Sequence, residues 1–203
     1  FNDQDPDNNK NEGEFKAYNR AFLYSNEGKM IGQQDKINIF NKEKEWSISS
    51  GNKLNVFDTK LGKMSFPISR DGTLYETYRV LEKLGGEIVL IPFAENRSTY
   101  NYWRSFRGVW SRVQETPMYG IKSAMVGTIF GIDFTGQAGI YGPVYLTDRK
   151  NGIFVESNSH DSEEIVIAYL HMDKYRDFKD NDDRVINNDF WKNNFPDIYH
   201  KKL

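Results

Sequence analysis

A chain of 203 residues is long enough for one well-buried domain and short for two. Its 14 Phe, 12 Tyr and 4 Trp exclude a disordered chain, because that much apolar surface offsets backbone entropy once buried. A net charge of −2 supplies no field for polyanions and disfavours nucleic acid as a partner, while the absence of cysteine excludes disulfides, zinc–thiolate sites and thiol nucleophiles.

The first fourteen residues, FNDQDPDNNKNEGE, are too polar to bury themselves and read as a tether ahead of a single globular domain at 15–203. Asp3, Asp5, Asp7 and Glu14 have the spacing of ligands at positions one, three, five and twelve of a calcium loop. Asn8 and Lys10 depart from that pattern, and a solvated acidic tether is the competing reading. Calcium is the one cofactor the sequence suggests. The chain starts at Phe1 without Met, and no apolar run reaches the roughly 20 residues of a membrane span. Together with the polar start, this predicts an exported bacterial protein, extracytoplasmic (periplasm, outer-membrane surface or secreted), held by a lipid upstream of Phe1.

From Phe15 the apolar residues alternate in short pieces, which predicts a strand at 15–24 and hairpins through Ile37/Ile39, Trp46/Ile48 and Leu54/Val56. TLYETYRVLEKLGG predicts a helix over 73–84, with Thr73 and Glu76 as a capping box and Gly85–Gly86 as its stop. EIVLIPF (87–93) and EEIVIAYLHM (163–172) are apolar on both faces and predict buried strands. Asn151-Gly152 predicts a hairpin between 139–148 and 152–157, and the charged tail from about 173 predicts a strap with a short helix. The expected fold is α+β, mainly antiparallel β (a sandwich or partly closed barrel), with one capped helix packed on the sheet.

Residues 96–114, NRSTYNYWRSFRGVWSRVQ, are the most function-laden stretch. As a helix, 102–113 gathers Tyr102, Trp103, Phe106, Val109, Trp110 and Val113 on one arc; the Thr, Tyr, Trp, Phe and Val content favours a strand, and strand is the expectation. Exposed rings at Tyr100, Tyr102, Trp103 and Trp110, with Arg97, Arg104, Arg107 and Arg112, would form a ligand-binding band for a protein partner or carbohydrate. The bland reading is core aromatics with arginines reaching out to solvent.

His160, Asp161 and Glu163 share a polar loop where acid–base or metal chemistry is conceivable, against a plain hairpin loop. Asp133 interrupts TIFGIDFTG, where burial would raise its pKa unless Arg104 or Arg107 pairs with it. No nucleophile elbow, phosphate loop or dinucleotide motif matches. The first functional reading is therefore a non-catalytic binding or assembly module of a bacterial envelope, leaning away from an enzyme. The alternatives are a hydrolase or transferase built on Asp133, His160, Asp161 or Glu163, and a calcium-stabilised structural subunit.

Overall fold

The structure, a computed structural model, describes residues 16–182 and 187–195 apart from the side chains at 107 and 188. Backbone contacts divide the chain into Phe1–Tyr169 and Leu170–Leu203. In the first unit the strands and helices run β1 (Ala17–Tyr18), β2 (Arg20–Tyr24), β3 (Met30–Asp35), α1 (Asn41–Glu45), β4 (Ile48–Ser49), β5 (Phe57–Thr59), β6 (Gly62–Ser65) and α2 (Tyr75–Lys83). They continue with β7 (Ile88–Phe93), α3 (Tyr102–Glu115), β8 (Tyr119–Ala124), β9 (Gly127–Ile129), β10 (Ile132–Phe134), β11 (Gly139–Tyr141) and β12 (Ile153–Glu156). The second unit holds α4 (Met172–Asp180) and α5 (Asn188–Asn194), where Phe190, Trp191 and Phe195 pack on one another.

One six-stranded sheet, in the order β12-β11-β8-β7-β6-β5, carries the first unit. Its middle is parallel: Met64 pairs with Ile88, and Ile88 through Phe93 pair with Tyr119 through Ala124. Only the flanks are antiparallel. A parallel pair needs a crossover of about a dozen residues or more, and α2 and α3 supply the two crossovers. The expected antiparallel sandwich with a single helix is thus incorrect. A continuous apolar strand such as EIVLIPF is the mark of a parallel strand covered on both faces.

Both helices bury their apolar stripes against one face of the sheet. Tyr78 and Leu81 of α2, Val89 and Ile91 of β7, Val109 and Val113 of α3, Met118 and Tyr141 form one core cluster. Gly120 lets α3 approach, because a Cβ there would lie 2.9 Å from Val109 and 3.0 Å from Val113. The helix α2 stops where the glycines predict. Gly85 takes φ +82°, and the Gly86 N–H donates to the Leu81 carbonyl at 2.8 Å. Its start differs: Leu74 is the N-cap, and Thr73 Oγ1 donates to the Arg70 carbonyl instead of capping, so no capping box forms.

The strand expected at 102–113 is the fourteen-residue helix α3, N-capped by Asn101, whose Oδ1 accepts from the Arg104 N–H at 3.0 Å. The buried strand expected at 163–172 is absent. Residues 163–169 belong to no strand, and Ile165, Ile167 and Tyr169 stand 76–87% exposed. The hairpin expected through 46–56 also fails, as β4 pairs in parallel with β1.

Candidate functional site

In sheets with a parallel core, ligands meet the crevice beyond the carboxyl ends of the strands. Beyond β6 the chain runs through buried Phe66, Pro67 and Ile68 and then turns in a 3-10 segment, Ser69–Thr73. Ser69 takes φ +52°, a left-handed conformation that costs a side chain about 1 kcal/mol or more. Asp71, 1% exposed, staples this turn to the segment after β3. Its carboxylate accepts the Ile37 N–H at 2.6 Å, the Asn38 N–H at 2.9 Å and the Asn38 side-chain amide at 2.7 Å.

That staple delivers Lys36. Its side chain is 3% exposed, and Nζ donates to both Glu43 carboxylate oxygens at 2.8 and 2.6 Å. The short helix α1 exists to bring Glu43 back: its carboxylate also accepts the Phe40 N–H at 2.8 Å and the Asn19 amide at 3.3 Å. Burial pushes the Glu43 carboxyl up, but Lys36, the Phe40 N–H and Asn19 outweigh it and hold its pKa below the ordinary value. The Phe40 ring sits under Lys36 Nζ at 4.5 Å and under the Arg70 guanidinium at 5.8 Å, so Lys36 and the Ser69 turn flank the same ring. A buried, hydrogen-bonded ion pair beside a strained turn at a strand's carboxyl end is an arrangement that can fix charge against a reacting carbonyl.

A second polar cluster lies between α3 and the sheet. Lys122, on β8, is 2% exposed and donates to Ser105 Oγ at 2.6 Å. Burial pulls its ammonium down to about 8, against the pull of Glu95 and Glu156 in the other direction. Tyr141 donates to Glu156 at 2.7 Å.

None of Lys36, Glu43, Ser69 or Asp71 stood out in the sequence. The residues that did are placed as follows. Arg97 pairs with Asp161 at 2.7 Å, and Asp161 also accepts from Thr135 at 2.7 Å; Thr135 first and then Arg97 hold the Asp161 carboxyl below its ordinary pKa. Tyr100 and His160 share a hydrogen bond of 2.7 Å, and burial raises the Tyr100 phenol to about 12. Tyr102 stacks on Phe106, which stacks on Trp110. Thus the loop at 157–164 docks on the start of α3 and gathers Arg97, Tyr100, Tyr102, His160 and Asp161. Arg104 binds Glu95 and the Thr99 carbonyl, and Arg112 binds Glu115 at 3.2 Å.

Trp103 is 62% exposed and, with Arg104, Gly108, Ser111, Arg112 and Thr73, lines an open groove of about 630 Å³. Trp110 points inward and donates to the Asn151 carbonyl at 2.7 Å. Glu163 is exposed at the rim of a cleft of about 290 Å³ beyond the end of β8. Asp133 is not buried. It lies exposed on the β9–β10 hairpin, accepts from Thr128 at 2.5 Å, and pairs with neither Arg104 nor the interior. The Arg107 side chain and the calcium-loop residues Asp3, Asp5, Asp7 and Glu14 lie outside the described residues. Among the described residues, no group of three or more His, Asp or Glu side chains is placed to hold a metal ion.

Residues 6–180 match the carbon–nitrogen hydrolase family, and the chain belongs to that family. It is 32% identical over 172 residues to the probable hydrolase YhcX of Bacillus subtilis, covering 81% of this chain and 33% of that protein. Saccharomyces cerevisiae Nit3, of the nitrilase superfamily, superposes with a TM-score of 0.68 at 20% identity, over 84% of this chain and 59% of Nit3. The amidase from Nesterenkonia sp. AN1 gives 0.56 at 17% identity, over 70% of this chain and 53% of the amidase, in a mutant seen with acrylamide added at the active-site cysteine. The chain therefore spans about a third of YhcX and three-fifths of Nit3. The family's fold is an α-β-β-α sandwich.

This membership overturns the reading as a non-catalytic binding or assembly module, and the labels lipoprotein, secreted binding protein and calcium-binding protein give way to carbon–nitrogen hydrolase. Of the three readings, the hydrolase is the one the family supports.

Proposed function

We propose that this chain forms part of a hydrolase that cleaves amide-type carbon–nitrogen bonds, with its charged centre at Lys36 and Glu43. The observation that carries the reading is the buried Lys36–Glu43 pair stapled through Asp71 to the strained turn beyond β6. When a nucleophile adds to an amide carbonyl, negative charge develops on the oxygen. A fixed ammonium in a site with little water opposes that charge far better than a solvated one, and needs no reorganisation to do so. Glu43 holds the ammonium in place and keeps it compensated in the free protein.

The amidase character of the Nesterenkonia neighbour supports short-chain amides as the first substrates to test. Ammonia release from a panel of such amides is the direct assay. Saturable release is expected, with a drop of about a hundredfold in Lys36→Met, the order of loss when one oxyanion-stabilising donor is removed. A panel that yields no ammonia, or a Lys36→Met variant as active as the parent, would overturn the assignment.

A further inference from the structure

The reaction needs an attacking group, and the chain has no cysteine to offer. We infer that Ser69 holds the attacking position, so that this hydrolase works through a serine ester where the Nesterenkonia amidase has an active-site cysteine. This rests on the hydrolase reading above.

Three independent observations converge on Ser69. The first is backbone strain. Four non-glycine residues take positive φ among the described residues: Ser47, Ser69, Phe130 and Lys150. Ser47, Phe130 and Lys150 are exposed turn residues, and Ser69 alone is half-buried. A side chain forced into the left-handed region between a strand and a helix is held out from the turn, the geometry that presents nucleophiles in elbow-type hydrolases.

The second is position. Ser69 follows a buried run off the carboxyl end of β6, which pairs in parallel with β7, and Asp71, two residues on, ties that turn to the Lys36 segment. The third is the state of three hydroxyls around that turn. Ser65 and Ser105 are 1% and 3% exposed, and Ser105 is engaged by Lys122, so neither offers a hydroxyl to a substrate. Thr73 donates its hydroxyl to the Arg70 carbonyl.

The step balances without a further reactant. Ser69 Oγ bonds to the amide carbonyl carbon, its proton passes to the amide nitrogen, and the carbon–nitrogen bond breaks as neutral ammonia or amine leaves. Water then adds to the ester. The carboxylic acid departs, and the Ser69 oxygen regains a proton.

The absence of any other thiol makes the test clean in the 203-residue chain. Ser69→Ala, Ser69→Gly and Ser69→Cys are assayed for ammonia release from propionamide. Ser69→Cys and the exposed control Ser98→Cys are also timed for acrylamide addition by intact mass and peptide mapping. The expected result is ammonia release by the parent, a loss of at least about a hundredfold in Ser69→Ala and Ser69→Gly, and acrylamide addition to Ser69→Cys at least about tenfold faster than to Ser98→Cys. Ser69→Gly guards against a folding artefact. Glycine takes φ +52° without strain, so this variant melts at or above the parent temperature while losing turnover. Ammonia release that survives in Ser69→Ala overturns the assignment and leaves the hydrolase reading intact. A parent that releases no ammonia, with Ser69→Cys still reacting fast, overturns the hydrolase reading and leaves Ser69 as the reactive position. Equal alkylation of the two cysteine variants overturns the position itself.

Discussion

Lys122 makes stability rise with pH in the alkaline range, opposite in sign to a lysine whose pKa is raised by a salt bridge. It lies 2% exposed between β8 and α3, and burial pulls its pKa to about 8. In the unfolded chain a lysine titrates near ~10.4. Below about pH 8 both states hold the proton, and the folded state bears the full cost of a buried ammonium. Between about pH 8 and about pH 10.4 the folded chain has released the proton and the unfolded chain has not, so stability rises with pH across that window. Each pH unit adds about 1.4 kcal/mol, which gives about 2 kcal/mol between about pH 8 and about pH 9.5. The measurement stops there. Tyr100 and Tyr119 sit at about 12 in the fold, and their ionisation in the unfolded chain above about pH 10 works the other way. Urea unfolding of the parent and of Lys122→Met at about pH 7.5 and about pH 9.5 reads the effect. The parent is expected to gain about 2 kcal/mol more than the variant over that interval. Equal gains in the two proteins would show that Lys122 is hydrated or held charged by Glu95 and Glu156, and would refute the burial argument.

Three further outcomes follow from the packing. Glu43→Gln leaves Lys36 charged and buried without its partner, and should lower unfolding free energy by about 3 kcal/mol in urea titration, the usual cost of breaking a buried pair from one side. Gly120→Ala places a methyl against Val109 and Val113 of α3, and a loss of about 1–3 kcal/mol is expected by thermal melting. Trp103→Ala should change the melting temperature by no more than a surface substitution does, about 0.5 kcal/mol, whereas Trp110→Ala loses a stacked, half-buried ring and the bond to Asn151 and should cost at least about 3 kcal/mol.

The parts of the fold legible in the sequence were those set by short-range chemistry. Gly85 and Gly86 marked the end of α2 because a left-handed C-cap has few alternatives to glycine. The start of α2 misled, since Thr73 and Glu76 have capping-box spacing while the chain prefers a 3-10 turn from Ser69. The helix α3 could be read both ways, and the aromatic content favoured the wrong one; Asn101 at its N-cap was the signal that tips the balance. Once α3 is taken for a strand, the strand–helix–strand–helix–strand order vanishes, and with it the parallel core. The candidate site was invisible for a different reason. Lys36, Glu43, Ser69 and Asp71 are ordinary residue types whose relation is tertiary, and no local pattern announces a positive φ at a serine. Asp133, by contrast, looked buried because its neighbours are apolar, yet the segment is a small exposed hairpin.

The Asp71 staple also bears on how the molecule folds. One carboxylate takes N–H groups from residues 33 and 34 positions earlier in the chain, so the Lys36 arm and the Ser69 turn cannot find their relative positions until that long loop has closed. Loop closure is an entropic barrier with no local reward, and contacts of this span form late in folding. The charged centre consequently becomes specific only after that closure. A chain halted short of Asp71 during synthesis would hold the Lys36–Glu43 pair with nothing to register it against the Ser69 turn, which keeps the reactive arrangement from existing before the sheet that supports it.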